Sequence, residues 1–198
     1  MKRGSTMKKY GLRKIFYLIC AVFLLGVSCF SSVYAEEPDV YFDEEEPLTG
    51  TYSMVSGWTL DDESTTSEKS VYKQDAYISQ SETSTISCSY LDTNYSVMEY
   101  EQLRDMLTNN LFYSNVNAQI STSAVYTLDK DYLYILIVDD SSQAYRNIYH
   151  YVVGDYRCFC VEVKEYRAEA DAAKAQNQKT PQEAGQTIAE EFVWNTPW

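Results

Sequence analysis

The sequence predicts an α+β fold in which helices flank an antiparallel β-sheet. The second half of the chain contains several runs of alternating apolar and polar residues joined by short turns, and strands joined by tight turns must be antiparallel. Two capped helical segments stand before and after these runs, and each needs an apolar surface. Residues 132–138 are apolar on both faces, so the sheet should be covered on both sides.

The first part of the domain is predicted to contain three strands and one polar loop. In the third strand, Ile86, Cys88 and Tyr90 alternate with serines, which indicates one buried face. The predicted strands are Thr51–Trp58, ending at Gly57, then Val71–Ile78 and Thr83–Leu91, with the loop at 59–70.

A helix is predicted to follow Ser96. The sequence Ser96-Val97-Met98-Glu99 is a capping box, in which hydroxyl and carboxylate each bind a backbone N–H of the first turn. The residues that follow place one apolar stripe along the helix: Tyr100, Leu103, Leu107 and Leu111.

The run of strands comes next. Every second residue is apolar or small over Val116–Leu128, which predicts a long strand with one buried face. Tyr132–Val138 is predicted to be a central strand covered on both sides. Tyr145–Val153 and Tyr156–Tyr166 are predicted strands joined at Gly154-Asp155, because glycine first in a two-residue loop is typical of a type II′ turn.

The chain is predicted to close with a helix. Residues 168–180 are rich in Ala, Gln and Lys and indicate a helical or loose excursion. Thr180 to Glu183 then forms a second capping box with Pro181 at the first helical position. Ala184, Ile188 and Phe192 form the apolar stripe of this helix.

The element order and two short strings resemble PsbP-like domains, the family of the extrinsic photosystem II subunit and its bacterial relatives. The strings are TYSMVSGWTL at 51–60 and TPQEAGQTIAEEFVW at 180–194, and the resemblance covers about residues 50–195. The chain lacks the proline usual before Gly-Trp, since Val55-Ser56 stand there. The resemblance implies an antiparallel sheet flanked by helices and a protein that binds other proteins, with no catalytic residues to carry over.

The first 35 residues are typical of a secretory signal peptide. They hold six basic residues and no acids, and an apolar run, Ile15–Val27, leads to a small-residue stretch. Val33 and Ala35 suit a signal peptidase, so cleavage is predicted after Ala35. Two alternatives remain: residues 15–35 as an uncleaved membrane anchor, and lipidation at Cys29. All three predict an exported chain, and membrane contact is expected only through the N-terminal segment if it is not cleaved.

Net charge narrows the class of partner. The chain has a formal charge of −13, and the part after Ala35 has all 29 acids with the remaining 10 basic residues. This balance disfavours nucleic acid and anionic membrane surfaces, which attract clustered Lys and Arg. Seven of the acids lie in 36–49, which is predicted to be an extended acidic linker before a single domain at 50–198.

Few residues suggest catalysis, a metal site or a cofactor. The single histidine, His150, is predicted to be a packed strand residue, and no nucleotide-binding or hydrolase motif is present. No catalytic, metal-binding or cofactor-binding residue is therefore predicted. The acid pairs Asp61-Asp62, Asp129/Asp131 and Asp139-Asp140 fall at predicted turns, where solvated carboxylates are common.

Three cysteines follow the predicted cleavage site. Cys158 and Cys160 lie two residues apart on one strand and point to the same face, too far apart to bridge each other. A bridge from Cys88 to either of them is left open, and the alternative is burial of all three as small apolar side chains.

Tyrosine is the unusual residue type, with 19 in the chain. Tyrosine suits both half-buried sheet faces and recognition surfaces. The leading hypothesis is an exported, non-catalytic binding or accessory protein of the bacterial cell envelope or extracellular space, with an unknown protein or glycan partner and a tyrosine-rich patch on the sheet or at a helix–sheet edge. The alternatives are an envelope-associated structural protein and a carboxylate-dependent hydrolase. The tyrosines concentrated on the strand run are Tyr126, Tyr132, Tyr134, Tyr145, Tyr149 and Tyr151.

Overall fold

A computed structural model describes residues 48–77 and 79–195 of the chain, which lie in one compact unit. The predicted signal peptide with its two alternatives, and the linker up to residue 47, lie outside the described residues. Leu48 and Thr49, assigned to the linker from the sequence, contact the domain: Leu48 packs against the core and accepts a hydrogen bond of 2.7 Å from Arg157.

Three helices and nine strands make up the described part of the chain, with short 3₁₀ turns at Asp75–Tyr77 and Val97–Glu99. The helices are α1 (Tyr100–Ser114), α2 (Arg167–Ala175) and α3 (Pro181–Glu190). The strands are β1 (Gly50–Thr51), β2 (Trp58–Leu60), β3 (Lys69–Gln74), β4 (Thr85–Asp92), β5 (Gln119–Tyr126), β6 (Tyr132–Asp139), β7 (Tyr145–Gly154), β8 (Arg157–Tyr166) and β9 (Val193–Trp194).

Seven strands form one antiparallel sheet in the order β2-β3-β4-β8-β7-β6-β5, and β1 pairs with β9 in a separate ribbon. The tight turns predicted from the sequence connect β5, β6, β7 and β8 as consecutive neighbours. The helix α1 separates the β2–β4 strands from this run. The predicted α+β class with an antiparallel sheet is confirmed.

The sheet is covered on both faces. On one face α3 packs through Ala184 and Ile188 on a core that includes Ile135, Ile148 and Val161. On the other face, Leu103 and Leu107 of α1 pack on a second cluster: Tyr134, Leu136, Tyr151, Val153, Cys158 and Cys160. Consecutive residues of β6 therefore point into different cores, which explains why its sequence is apolar on both faces.

The capping prediction for the closing helix is confirmed. The Thr180 hydroxyl accepts from the Glu183 backbone N–H at 3.2 Å, and the Glu183 carboxylate accepts from the Thr180 N–H at 2.8 Å. Pro181 is the first helical residue, where a missing N–H costs nothing. These bonds fix the start of α3, and its apolar stripe then meets the sheet.

The prediction of one buried face on Val116–Leu128 is wrong. The strand is shorter, Gln119–Tyr126, and seven of its eight residues are exposed, with Ile120 half-buried. The strand is the outermost one of the sheet, and α1 packs over β6, β7 and β8 instead. Period-two alternation reports which side chains share a face, but it does not report whether a layer covers that face.

The first predicted strand is also wrong in its bounds. Only Gly50–Thr51 is a strand there, and it pairs with β9 rather than with the large sheet. The chain then turns at Ser56–Gly57 before Trp58 starts β2. Trp58 is buried in the core on the α3 face, so the predicted strand is split between two sheets.

The β7–β8 turn is shifted by one residue from the prediction. Gly154 pairs with Arg157, so the two loop residues are Asp155 and Tyr156, with Tyr156 at φ 56°. Gly154 is needed for a different reason, because a Cβ atom there would lie 2.6 Å from the Trp194 ring. Close approach of Trp194 to the strand, rather than turn geometry, accounts for this glycine.

Candidate binding surface

Three tyrosines form a contiguous aromatic group where α1 meets the β5–β6 hairpin. Tyr126 and Tyr132 are direct partners in the β5–β6 register, and their ring centroids are 5.0 Å apart. Tyr100, the first residue of α1, stacks on Tyr132 at 4.4 Å with the ring planes only 12° apart. We call Tyr100, Tyr126 and Tyr132 the tyrosine cluster.

The cluster has a rigid base. Tyr134, two residues along β6, meets the Tyr100 ring edge-on at 6.2 Å. The Tyr134 hydroxyl is 2.8 Å from the Thr108 hydroxyl, which ties β6 to the middle of α1. The orientation of the cluster is therefore set by a buried side chain that is itself held by a hydrogen bond.

The cluster is open to solvent on one side. Tyr126 is 59% exposed and Tyr132 is 39% exposed, whereas Tyr134 is buried. The Tyr100 hydroxyl has no hydrogen-bond partner among the residues that the structure describes. Burial raises the pKa of Tyr100, and the neighbouring Tyr132 hydroxyl raises the pKa of Tyr126, so these phenols are neutral at physiological pH. The exposed rings thus offer an uncharged aromatic surface.

The cluster lies beside the longest charge-free segment of the chain. Residues 106–128 contain no Asp, Glu, Lys or Arg, although 22 acids and 10 basic residues lie in 48–195. This segment includes the end of α1, the connecting loop and all of β5. It also contains half of the large hydrophobic side chains exposed in the described part of the chain: Phe112, Tyr113, Val116, Val125, Tyr126 and Leu128. Exposed apolar side chains concentrated in this way mark interaction surfaces.

The other tyrosines of the strand run pack instead. Tyr134 and Tyr151 are buried beneath α1, and Tyr149 packs against the same α1-side core. Lys164 lies 4.2 Å above the Tyr145 ring, which holds this half-buried ring through a cation–π contact. No signal in the sequence separates the two groups, because the predicted two-residue turn at Asp129-Lys130 would pair Tyr126 with Leu133 and not with Tyr132.

The acid pair Asp61-Asp62 does not form a catalytic site. Asp61 is buried, not solvated as predicted, and its carboxylate binds Lys73 at 2.9 Å and the Ser64 hydroxyl at 2.7 Å. Hydrogen bonds from Ser64 and Lys73 lower the pKa of Asp61, which suits a structural anion and not a general acid. Asp62 beside it is exposed.

The other two acid pairs also have local roles. Asp139 binds Arg167 at 2.6 Å, and this hydrogen bond lowers the pKa of Asp139. Asp140 accepts from the backbone N–H and the hydroxyl of Ser142, as expected for a turn. Asp131 is half-buried with a raised pKa, because of burial first and then the nearby Asp129. Burial of Asp131 therefore stabilises the protonated acid, and Asp129 beside it is exposed in the same turn.

His150 is a packed residue, as the sequence predicts. It is fully buried on β7 against α3, and its Nδ1–H donates to the Val161 carbonyl at 3.2 Å. Burial lowers the pKa of His150 to about 4, so the imidazole is neutral at physiological pH. Within 48–77 and 79–195, no group of three or more metal-ligating side chains is positioned to hold a metal ion.

The three cysteines are free and buried. Cys88 pairs with Val161 and points into the α3-side core, whereas Cys158 and Cys160 point into the α1-side core. A bridge from Cys88 would have to pass through the sheet, so the possibility left open by the sequence is ruled out. Burial raises the pKa of Cys88 and Cys158 to about 12, and it raises the pKa of Cys160 as well.

A cleft of about 240 Å³ borders the start of β5. It lies between the α1–β5 loop, at Val116 and Asn117, and the β6–β7 turn at Asp140 and Gln143. Its only cation is Arg146, which is engaged by Glu165 at 2.7 Å. The cleft therefore extends the polar margin of the exposed β5 region, and its one lining acid, Asp140, is held by the Ser142 hydroxyl. None of the described helices is long and apolar enough to cross a membrane.

Comparisons with known proteins give a distant likeness in fold. The solution structure of cyanobacterial PsbP (CyanoP) from Synechocystis sp. PCC 6803 is similar with a TM-score of 0.44 and 11% identity, covering 74% of this chain and 91% of that chain. The resemblance to PsbP-like domains predicted from the sequence is thus found in the structure as well. No protein-family model and no curated protein sequence matches the chain.

Proposed function

We propose that the chain is an exported accessory protein that binds another protein through the tyrosine cluster and the adjoining charge-free surface. The observation that carries the proposal is the stack of Tyr100, Tyr132 and Tyr126, which presents two exposed rings on a rigid base. Tyrosine is enriched at protein interfaces because it buries a large area with little loss of side-chain entropy. Export is supported by the composition of the first 35 residues.

A protein partner is favoured over a glycan by the shape of the surface. Exposed residues extend along a whole strand from Gln119 to Tyr126, and the aromatic rings lie at one end of it. An extended and uncharged surface along one strand suits a polypeptide, whereas small-molecule sites are concave with convergent polar groups. The hydrolase alternative is not supported, because Asp61, Asp139 and Asp140 are each held in local bonds.

The test is capture of the partner in the native cell. The full chain with a C-terminal tag is expressed from its own signal, cross-linked on intact cells, and purified with its partners for mass spectrometry. We expect one or more extracytoplasmic proteins to be captured by the wild type and reduced about tenfold by Tyr126→Ser. N-terminal sequencing of the same material tests cleavage after Ala35.

The matched control is Tyr156→Asn. Tyr156 is 57% exposed, close to the 59% of Tyr126, but it lies in the β7–β8 turn. Its positive φ of 56° is one that asparagine adopts readily, so the fold should be unaffected. Equal capture by the wild type and Tyr126→Ser, or equal loss in both variants, would contradict the proposed site.

A further inference from the structure

We infer that β5 binds an extended segment of the partner as an added β-strand, and that this segment is uncharged along β5 and basic beside the β5–β6 turn. The inference rests on the proposed function and specifies how the partner is held. It is carried by the edge geometry of β5 and by the distribution of charge around it.

The outer edge of β5 is open in the described part of the chain. β5 is the last strand of the seven-stranded sheet, and β6 is its one described partner. In an antiparallel strand, alternate residues direct their N–H and C=O groups to either side, so about half of the backbone groups of β5 point outward. An incoming strand can satisfy these groups directly.

The edge has none of the usual protection against pairing. Native sheets block their edges with charged side chains, proline, bulges or short strands. The β5 sequence QISTSAVY has neither charge nor proline, and its register with β6 is continuous over all eight residue pairs. The opposite edge of the sheet, β2, has only three residues, Trp58–Leu60. Among the described strands, only β5 therefore offers a long regular edge.

The side chains of β5 suit an uncharged strand on both faces. Tyr126 shares the α1 face with Ile120 and Thr122, while Val125 lies on the other face. A residue placed beside Tyr126 would contact its exposed ring, and cross-strand aromatic pairs of this kind stabilise sheets. The tyrosine cluster would thus select an apolar or aromatic side chain at one end of the added strand.

Acidic groups gather at the Tyr126 end of the edge. The β5–β6 turn contains Asp129 and Asp131 against one cation, Lys130. The Leu128 N–H donates to the Glu190 carbonyl at 3.0 Å, which brings the last turn of α3, with Glu190 and Glu191, to the same place. The carbonyl end of a helix adds partial negative charge. A lysine or arginine on the added strand would be attracted to this corner.

The same charges disfavour pairing of β5 with a second copy of the chain. Residues 48–195 have 22 acids against 10 basic residues, so two domains repel each other. In an antiparallel self-pair, the acidic turn of one copy would lie beside the β6 end of the other, where Asp139 and Asp140 stand. A partner with basic flanking residues is therefore the better complement.

The test uses a displayed library of random peptides long enough to span β5, selected on the tagged full chain. We expect enriched peptides with alternating apolar or β-branched residues and Lys or Arg near one end. Hydrogen exchange with a selected synthetic peptide should then protect the outward-pointing amides of Gln119–Tyr126, which alternate with those already bonded to β6. Protection elsewhere, or enrichment of acidic peptides, overturns the inference.

Charge variants on the edge give a matched comparison. Ser123 is exposed on the face away from α1, so Ser123→Lys and Ser123→Glu change charge without touching the core. Ser123→Lys should weaken the selected peptide about tenfold, because lysine repels its basic end and guards the edge. Ser123→Glu should bind as well as the wild type or better. Equal affinity of the two variants would overturn the inference.

Backbone variants separate this inference from the proposed function. Neighbouring residues of a strand direct their N–H groups to opposite sides, so one of the two variants Thr122→Pro and Ser123→Pro removes an N–H that points outward. That variant should remain folded by circular dichroism and should no longer bind the selected peptide. If cell-captured partners survive in the folded proline variant but are lost with Tyr126→Ser, the proposed function stands and strand addition fails. If the wild type sediments as a dimer and the proline variant as a monomer, β5 pairs with a second copy of the chain, which would also overturn the inference.

Discussion

Arg146 and Glu165 face each other across β7 and β8 and form a buried ion pair, with Nη2 and Oε1 2.7 Å apart. Glu165 is only 1% exposed. Its second oxygen accepts from the Gln182 backbone N–H at 2.8 Å, at the start of α3. One carboxylate therefore joins the sheet to the helix that covers it.

Replacing Glu165 with alanine should destabilise the domain strongly. The change leaves the Arg146 charge without its carboxylate and the Gln182 backbone N–H without its hydrogen-bond acceptor. We expect the free energy of unfolding to fall by about 3 kcal/mol. Urea unfolding measures the effect. Glu162→Ala is the control, because the ion pair of Glu162 with Lys69 is partly exposed and its loss should cost less than about 1 kcal/mol. Similar losses in both variants would contradict the assigned role of Glu165.

Stability should fall on mild acidification because of His150. Burial lowers the pKa of His150 from 6.5 to about 4 in the folded state. The unfolded chain takes up a proton first as the pH falls below about 6.5, so the stabilisation present above that pH is lost progressively down to about pH 4. The full loss is roughly 3 kcal/mol.

The measurement is urea unfolding across this pH range for the wild type and His150→Leu. Leucine cannot be protonated, so the variant should have a flatter profile between pH 6.5 and about 4, whatever its absolute stability. Parallel profiles for the two proteins would show that another group is responsible. The lowered pKa values of Asp61, Asp139 and Asp140 place their contributions at lower pH.

The cysteines of the domain should be unreactive in the folded protein. Cys88, Cys158 and Cys160 are buried and have raised pKa values, so almost no thiolate is present at neutral pH. Iodoacetamide should leave all three unmodified in native buffer and alkylate all three in denaturant. Peptide mass mapping separates them from Cys20 and Cys29, and a Cys88-containing disulfide peptide would contradict the assignment to opposite faces.

Gly185→Ala should destabilise the protein although alanine favours helices. Helix propensity alone would add about 1 kcal/mol of stability. A Cβ atom at this position would lie 2.2 Å from Cγ2 of Val163, which is fully buried in the core. Overpacking should dominate, with a net loss of about 1–2 kcal/mol in urea unfolding. Gln186→Ala, on the same helix, should change stability by no more than about 0.5 kcal/mol. A stabilised Gly185→Ala variant would show that α3 can shift away from β8.

Local features of the fold were predictable because their causes are local. The capping of α3 depends on Thr180 and Glu183, three residues apart, and its apolar stripe on Ala184 and Ile188. The two-sided burial of β6 follows from a run of apolar residues that no single exposed face could accommodate. The packed state of His150 agrees with its place in an apolar strand.

The sequence by itself determined the class of the fold, the start of α3 and the buried central strand, since propensity, capping and periodicity act within a few residues. Only the tertiary structure decided that β5 is an exposed edge, that Cys88 faces away from Cys158 and Cys160, and that Tyr100 stacks on Tyr132. Each of these depends on which layer covers which strand, or on which segments distant in sequence become neighbours. Alternation along one strand cannot contain that information, because packing between layers is settled by the whole chain.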